Sequence, residues 1–270
     1  MDAVQVIWGS ATDCGPVRTV NEDALLASPP VFVVSDGMGG HAAGDIAAGI
    51  IIDEFDTAPD TALAADVGAD WVLGCIRRAG RRIRSGAGGG ATVVGLAITE
   101  LDGAPYWLTF NIGDSRAYRS FHSELVQISV DHSYVQELVE AGELERDEMR
   151  RHPQRNVITR AVGLVGDGEP DCWLVPARQG ERLLLCTDGV TGELSDADVG
   201  AILAAQIDPQ RAADTLIAAA VRAGGRDNAT ALVVDVLTVA EISAEEITSR
   251  SELREDLERT VPHGFRGEHQ

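Results

Sequence analysis

A chain of 270 residues that is 44% hydrophobic can bury the core of one large domain or two small ones. Its 43 acidic residues against 22 basic ones leave a net charge of −21, which excludes sequence-independent binding to nucleic acid or to an anionic membrane, because both need a basic surface. Every basic residue is arginine, which also excludes Schiff-base and P-loop lysine chemistry.

The first residues, MDAVQVIWGS, have no basic region leading into an apolar stretch, and no later run approaches about 18 uninterrupted apolar residues. The expectation is a cytoplasmic protein with no membrane association. Cys14, Cys75, Cys172 and Cys186 are scattered without CxxC spacing, so they read as reduced, partly buried small residues rather than as a disulfide framework or zinc site.

In chain order, AVQVIWGSAT and PVFVVSD read as strands. GDIAAGIIIDEF and LAADVGADWVLGCIRRAGRRIRS have small and apolar residues at helical spacing, the second with its arginines late, where the helix dipole favours them. The glycine run SGAGGG then leads into four strand-like runs, ATVVGLAI, APYWLTFNIG, SRAYRS and ELVQIS, which read as an antiparallel meander. A polar helical stretch is expected from about Ser133 to Met149, followed by an extended NVITRAVG. The strand ERLLLCTDG, the helices LSDADVGAILAA and PQRAADTLIAAAVRAGG, and a last strand in RDNATALVVDVL complete the fold. Runs of strands and runs of helices, with little direct alternation, predict an α+β layered domain over residues 1–239. Residues 240–270 are charged, lack a sustained apolar face and read as a partly helical or disordered extension.

The apolar run that ends in VVSDGMGGH raises a chemical question, since a carboxylate at the end of a buried strand is costly without a positive partner. Asp36, Asp188 and Asp227 share that setting, before Gly37, Gly189 and Asn228; Asp114 follows Gly113 at another strand end, and Glu22 and Asp23 are adjacent in RTVNED. Any one of these is an ordinary turn residue. Together they suggest carboxylates converging on one edge of the sheets, where glycine allows close backbone approach and offers a carbonyl. Oxygen ligands without Cys or His clusters suit Mg²⁺ or Mn²⁺. Two such ions about 3.5–4 Å apart can generate hydroxide from a bridging water and clamp an in-line phosphoryl displacement. Arg18, four residues before Glu22, could offer a bidentate fork to a phosphate, or could be a surface arginine paired with Glu22 or Asp23.

RTVNED, SDGMGG, GATVVGLAI, NIGDSRAY, VDHS, HPQRNVITRAVG, LLLCTDGV and GGRDNATALVV resemble, in order, the motifs of the metal-dependent PP2C-type (PPM) protein serine/threonine phosphatases, in particular the compact bacterial members. The resemblance spans about Val4 to Val236. It implies a four-layer α-β-β-α sandwich of two antiparallel sheets flanked by helices, and hydrolysis of phosphoserine and phosphothreonine in proteins by a water bridging two Mn²⁺ or Mg²⁺ ions. By the same resemblance Asp36 would bridge the two ions, with the Gly37 carbonyl as a further ligand, and Asp188 and Asp227 would complete the direct shell. Glu22 and Asp23 would hold metal-bound waters or bind metal directly. Asp114 with Asp188 would form a third, weaker site, Arg18 would bind the phosphate, and Asn228 would position water or a ligand around the metals.

Met38 stands where eukaryotic relatives carry the histidine that protonates the leaving oxygen, and methionine cannot donate a proton. That leaves His41 or a metal-bound water, of which the water is favoured. Residues from about Val130 to Gly163 correspond to the flap of bacterial members, and Arg146, Arg150, Arg151, Arg155 and Arg160 make it one of two basic concentrations, either solvated or guiding a phosphopeptide. His132 is expected to cap or brace the following helix, with Asp131 or Ser133 as N-cap. The expected partners are phosphorylated proteins, substrates of a Hanks-type Ser/Thr kinase, and the expected state is a monomer. The alternative is a catalytically silent phosphatase-like module that binds metal or a phosphoprotein. Nucleotide-binding and serine-hydrolase readings fail because no glycine loop ends in Lys-Ser or Lys-Thr and no GxSxG occurs.

Overall fold

A computed structural model describes residues 4–39, 43–58, 67–86, 88–122, 124–164 and 169–240. In chain order the elements are β1 (Val4–Asp13), β2 (Asp23–Ser28), β3 (Val31–Met38), α1 (Ala43–Phe55), α2 (Ala69–Ser85), β4 (Gly90–Ala91), β5 (Val93–Leu101), β6 (Ala104–Ile112), β7 (Arg116–Phe121) and β8 (Glu124–Gln127). They continue with α3 (Tyr134–Glu140), a 3₁₀ turn at Arg146–Arg151, β9 (Asp171–Pro176), β10 (Arg182–Cys186), α4 (Asp188–Thr191), α5 (Asp196–Ala205), α6 (Pro209–Ala223) and β11 (Ala229–Val239). Two sheets result, one ordered β1-β11-β10-β7-β8 and the other β2-β3-β5-β6-β9 with β4 attached to β3. Among the described residues every strand pairing is antiparallel.

The period-two alternation of strand side chains explains why the central strands are continuously apolar. In β3, Phe32 and Val34 point between the sheets, where they join Trp107, Leu183, Leu185, Leu232 and Val234. Val31 and Val33 point the other way, to α1 and α2, and pack with Ile51, Phe55, Ile76, Ile83 and Phe110. On the outer face of the first sheet, Leu184, Ala231 and Val233 meet Val199, Leu203, Leu216 and Ile217 of α5 and α6. The layers are therefore α-β-β-α, as the resemblance implied. Both outer helices of that last layer are capped as their sequences dictate: Ser195 and Asp198 form a capping box, and Asp208 accepts from the Arg211 N–H ahead of Pro209. No helix among the described residues is long and apolar enough to cross a membrane.

Three expectations need correction. The four strands from β5 to β8 are not one meander: β5 and β6 belong to the second sheet, β7 and β8 to the first, and the chain crosses between sheets at residues 113–115. Two strands had no sequence reading. β2 is half-buried up to an exposed Ser28 with no clear alternation, and β9 follows Pro170 and ends at Pro176; both are edge strands, where weak propensity and proline at a strand end are tolerated. NVITRAVG makes only isolated bridges, Ser133 to Ile158 and Ala91 to Val162, because its residues close the base of the flap rather than extend a sheet. The predicted helix from Ser133 to Met149 is α3 and the 3₁₀ turn, separated at Gly142, whose φ is +73°. The extension at 240–270 and His41 lie outside the described residues, apart from Ala240.

Candidate active site

The predicted carboxylates meet at one rim, where the ends of both sheets come together. Asp23 opens β2 and stands directly opposite Asp36 of β3. Asp188 opens α4 two residues beyond the end of β10, Asp227 lies two residues before the start of β11, and Asp114 sits at the crossover from β6 to β7. Burial raises all four buried carboxyls, and their mutual repulsion adds to it. Desolvation, opposed by the Thr230 and Thr187 hydroxyls and reinforced by Asp188 and Asp227, pushes Asp23 up to about 7. Desolvation and Asp227 push Asp188 up to about 6, partly offset by a hydrogen bond from Asp36. Asp36, desolvated and surrounded by Asp23, Asp188, Asp114 and Asp227, is held well above the usual carboxylate range. Asp114 is held there too, by desolvation and by Asp188 and Asp131.

The two sheets are tied together at this rim by hydroxyls that no sequence reading had assigned. Thr187, just beyond β10, and Thr230 of β11 donate to Asp23 Oδ2 at 2.9 and 2.6 Å. Thr230 in turn contacts Thr12 at 2.8 Å, and Asn21 donates to Thr12 at 2.8 Å. Thr92 Oγ1 accepts from the Asp36 N–H at 3.0 Å and lies 2.8 Å from Ser115 Oγ, so it links the strand of Asp36 to the crossover of Asp114. The available signal was a hydroxyl interrupting an apolar strand beside each acidic motif, as in LLLCTDG and DNATALVV.

Glu22 lies beside this group. Its carbonyl accepts the Gly37 N–H at 3.1 Å, and its carboxyl carbon would be 2.9 Å from a Cβ placed on Gly44. Gly37 is required for packing: a Cβ there would fall 2.1 Å from the Gly44 carbonyl oxygen and 2.7 Å from that of Glu22. Arg18 pairs with neither Glu22 nor Asp23. Its Nη2 donates to Asp227 Oδ2 at 2.7 Å, and this bond, with the charges of Asp227, Glu22 and Asp36, holds its pKa above the ordinary value. Asn228 is committed to the backbone of the segment that carries Arg18: Nδ2 donates to the Cys14 and Val20 carbonyls at 3.0 Å each, and Oδ1 accepts from the Glu22 N–H at 2.9 Å. The Asn228 side chain therefore acts on the rim through that loop, while its backbone N–H donates directly to Asp227 Oδ1 at 2.9 Å.

The side chains fit divalent ions with oxygen ligands. Asp23 Oδ1, Asp114 Oδ1 and Asp188 Oδ1 are buried without a hydrogen-bond partner, which is expensive unless a cation meets them. Among the described residues no three such acidic, His or Cys side chains are gathered tightly enough to hold an ion by themselves. The donors at the rim are carboxylate and carbonyl oxygens, the chemistry of Mg²⁺ and Mn²⁺ sites rather than of thiolate or imidazole cages.

Beside the rim is a cavity of about 80 Å³, lined by Asp114, Asp188, Arg116, Asp131, Met149, Arg150, Arg155 and Asn156 among others, so the flap forms one wall of the site. Arg116 is held by Asp131 through Nε and Nη2, and Arg150 donates to the Leu194 carbonyl at 2.7 Å, anchoring the 3₁₀ turn beside α4.

No protein-family model matches the chain. Serine/threonine phosphatase Stp of Listeria innocua is 32% identical over 239 residues, covering 83% of this chain and 93% of that protein. The crystal structure of the Mycobacterium tuberculosis serine/threonine phosphatase PstP/Ppp superimposes with a TM-score of 0.79 at 33% identity, covering 86% of this chain and 99% of that one. The PstP catalytic domain in complex with two manganese ions superimposes with a TM-score of 0.74 at 31% identity, covering 86% and 99%.

Proposed function

The chain belongs to the bacterial PP2C-type (PPM) protein serine/threonine phosphatases, metal-dependent enzymes that remove phosphate from proteins, and from that premise we propose the residue roles, metals and partners that follow. Asp36, with Asp23 directly opposite, would be the centre of the metal site; Asp188, Asp227 and the Gly37 carbonyl would complete its inner ligands, Glu22 would order water around them, and Asp114 with Asp188 would hold a third ion. When bound, Mn²⁺ or Mg²⁺ would supply a nucleophilic water at neutral pH and neutralise charge on the phosphate.

The chain's own residues do the rest. Arg18 spends one guanidinium N–H on Asp227 and keeps the remaining donors of its fork for the phosphate oxygens, so the bond to Asp227 both aims it and ties it to a metal ligand. Asn228 fixes the loop that delivers it. Thr187 and Thr230 occupy one oxygen of Asp23 and leave the other for the rim. Met38 cannot protonate the leaving oxygen, and that proton comes from a water of the site rather than from His41.

The partners are phosphoproteins made by a Hanks-type Ser/Thr kinase, and the enzyme works as a cytoplasmic monomer. The phosphatase domain is residues 1–239, and 240–270 form a charged extension. The single observation that carries the reading is the set of buried carboxylate oxygens without partners on one rim, with an arginine attached to it. No observation favours the catalytically silent module.

The test is hydrolysis of p-nitrophenyl phosphate and of a phosphothreonine peptide with Mn²⁺, with Mg²⁺ and with EDTA, beside Asp188→Ala. Turnover that depends on metal and is lost in the variant is expected. No turnover by folded protein with either metal would overturn the catalytic assignment of the rim.

A further inference from the structure

Gly113, which begins the crossover between sheets, has both of its backbone polar groups bonded to one histidine, with Asn111 Nδ2 a second donor to its carbonyl at 3.0 Å. Its N–H donates to His132 Nδ1 at 3.2 Å, and its carbonyl accepts the His132 N–H at 2.8 Å. An amide N–H can only donate, so Nδ1 must be unprotonated and the ring hydrogen sits on Nε2, which faces Asp171 Oδ2 at 3.4 Å. Arg160 Nη1, 3.4 Å from Nε2, then has no acceptor there and donates to Asp171 Oδ1 at 3.3 Å. The ring is 5% exposed, so these bonds set its orientation.

The same residue closes the flap. The His132 carbonyl accepts the Thr159 N–H at 2.9 Å, and the next residue, Ser133, caps α3 while bridging to Ile158. Entry to and exit from the flap therefore meet at the residue that grips Gly113. Asp114 follows at once, buried, with Oδ1 unpartnered, so the backbone that carries it sets where that oxygen points.

We infer that His132 is a positioning residue for the cation site of Asp114, acting through the Gly113 backbone, and that it couples the placement of Asp114 to the base of the flap. The inference rests on the reading of Asp114 as a metal ligand. Because coupling is reciprocal, whatever displaces the flap base changes the affinity of that site, and occupation of the site steadies the flap.

The test is Mn²⁺ binding to the full chain by calorimetry and by electron paramagnetic resonance of free Mn²⁺. His132→Gln keeps a polar group toward Asp171 but has no acceptor at the Nδ1 position, whereas His132→Asn places Oδ1 there. The Gln variant is expected to weaken the weakest class of Mn²⁺ site about tenfold and leave the tighter sites unchanged, and the Asn variant is expected to restore it. Wild-type binding in both variants, or equal loss in both, overturns the inference. Asp114→Asn is the control: if it leaves every Mn²⁺ site intact, Asp114 is not a ligand and the inference falls with that reading. Should the Gln variant fail to fold, nitrogen NMR of the wild-type protein decides, since a coupling across the hydrogen bond between the Gly113 amide and His132 Nδ1 is expected and its absence overturns the clamp.

Discussion

Asp23 and Asp36 face each other directly across the β2–β3 ladder, so two carboxylates occupy one cross-strand pair on one face of the sheet. Like charges in that position destabilise a sheet, and burial here makes the cost larger. The arrangement is stable only with protons or cations between the carboxyls, which makes the fold itself responsive to metal.

Metal should therefore stabilise the protein more as pH rises. Asp23 and Asp188 are raised in the folded, metal-free protein to about 7 and about 6, against about 4 in an unfolded chain. The folded state binds more protons than the unfolded one between those limits, so the contribution of these two carboxyls to metal-free stability is fully present below about pH 4 and is lost as pH rises through about 7. Thermal melting in EDTA should show that decline, and the gain on adding Mn²⁺ should be larger at pH 7.5 than at pH 5. A gain that does not depend on pH would contradict the buried pair.

Thr187→Val and Thr230→Val each remove a hydroxyl from Asp23 Oδ2. Hydrogen bonds to a charged group are worth about 1.5–3 kcal/mol, and loss of such a supporting contact lowers metal affinity or turnover by about 10–100-fold. The expected result is a higher Mn²⁺ requirement with KM for a phosphopeptide little changed. An unaltered metal requirement in both variants would remove the hydroxyls from the site.

Arg18→Ala should lower kcat/KM by on the order of 100-fold, the scale of losing a donor to developing charge. Arg18→Lys should recover little of it, because an ammonium cannot hold Asp227 and phosphate with one planar fork. Full recovery with lysine would mean that charge alone is needed.

Asn228→Leu leaves two carbonyls and one N–H of the 14–22 segment without partners. At about 1–3 kcal/mol for each buried group left unsatisfied, a clear drop in melting temperature is expected, together with a raised KM as the Arg18 loop loosens. A raised KM without lost stability would instead place Asn228 in contact with substrate.

His41→Ala should change turnover only a few-fold if water supplies the proton to the leaving group. A loss of about a hundredfold or more in folded protein, the scale of a missing general acid, would give that role to His41.

Much of this protein could be read along the chain. Apolar runs such as VFVVSD and LLLCTD end in acid at the rim of sheets buried on both faces, and that local pattern, with the ordered motifs around it, sufficed for the layered class and for the acidic residues that meet at one rim. What it could not supply was the partner of each group. Arg18 meets Asp227 across 209 residues, Asp23 meets Thr230 across 207, and Asn228 holds Glu22 across 206. The crossing from β6 to β7, which takes Asp114 out of a meander and puts it between two sheets, was equally hidden. Periodicity records which face of an element is buried, whereas these contacts arise only when two sheets close on a common core and bring the ends of distant strands to one edge.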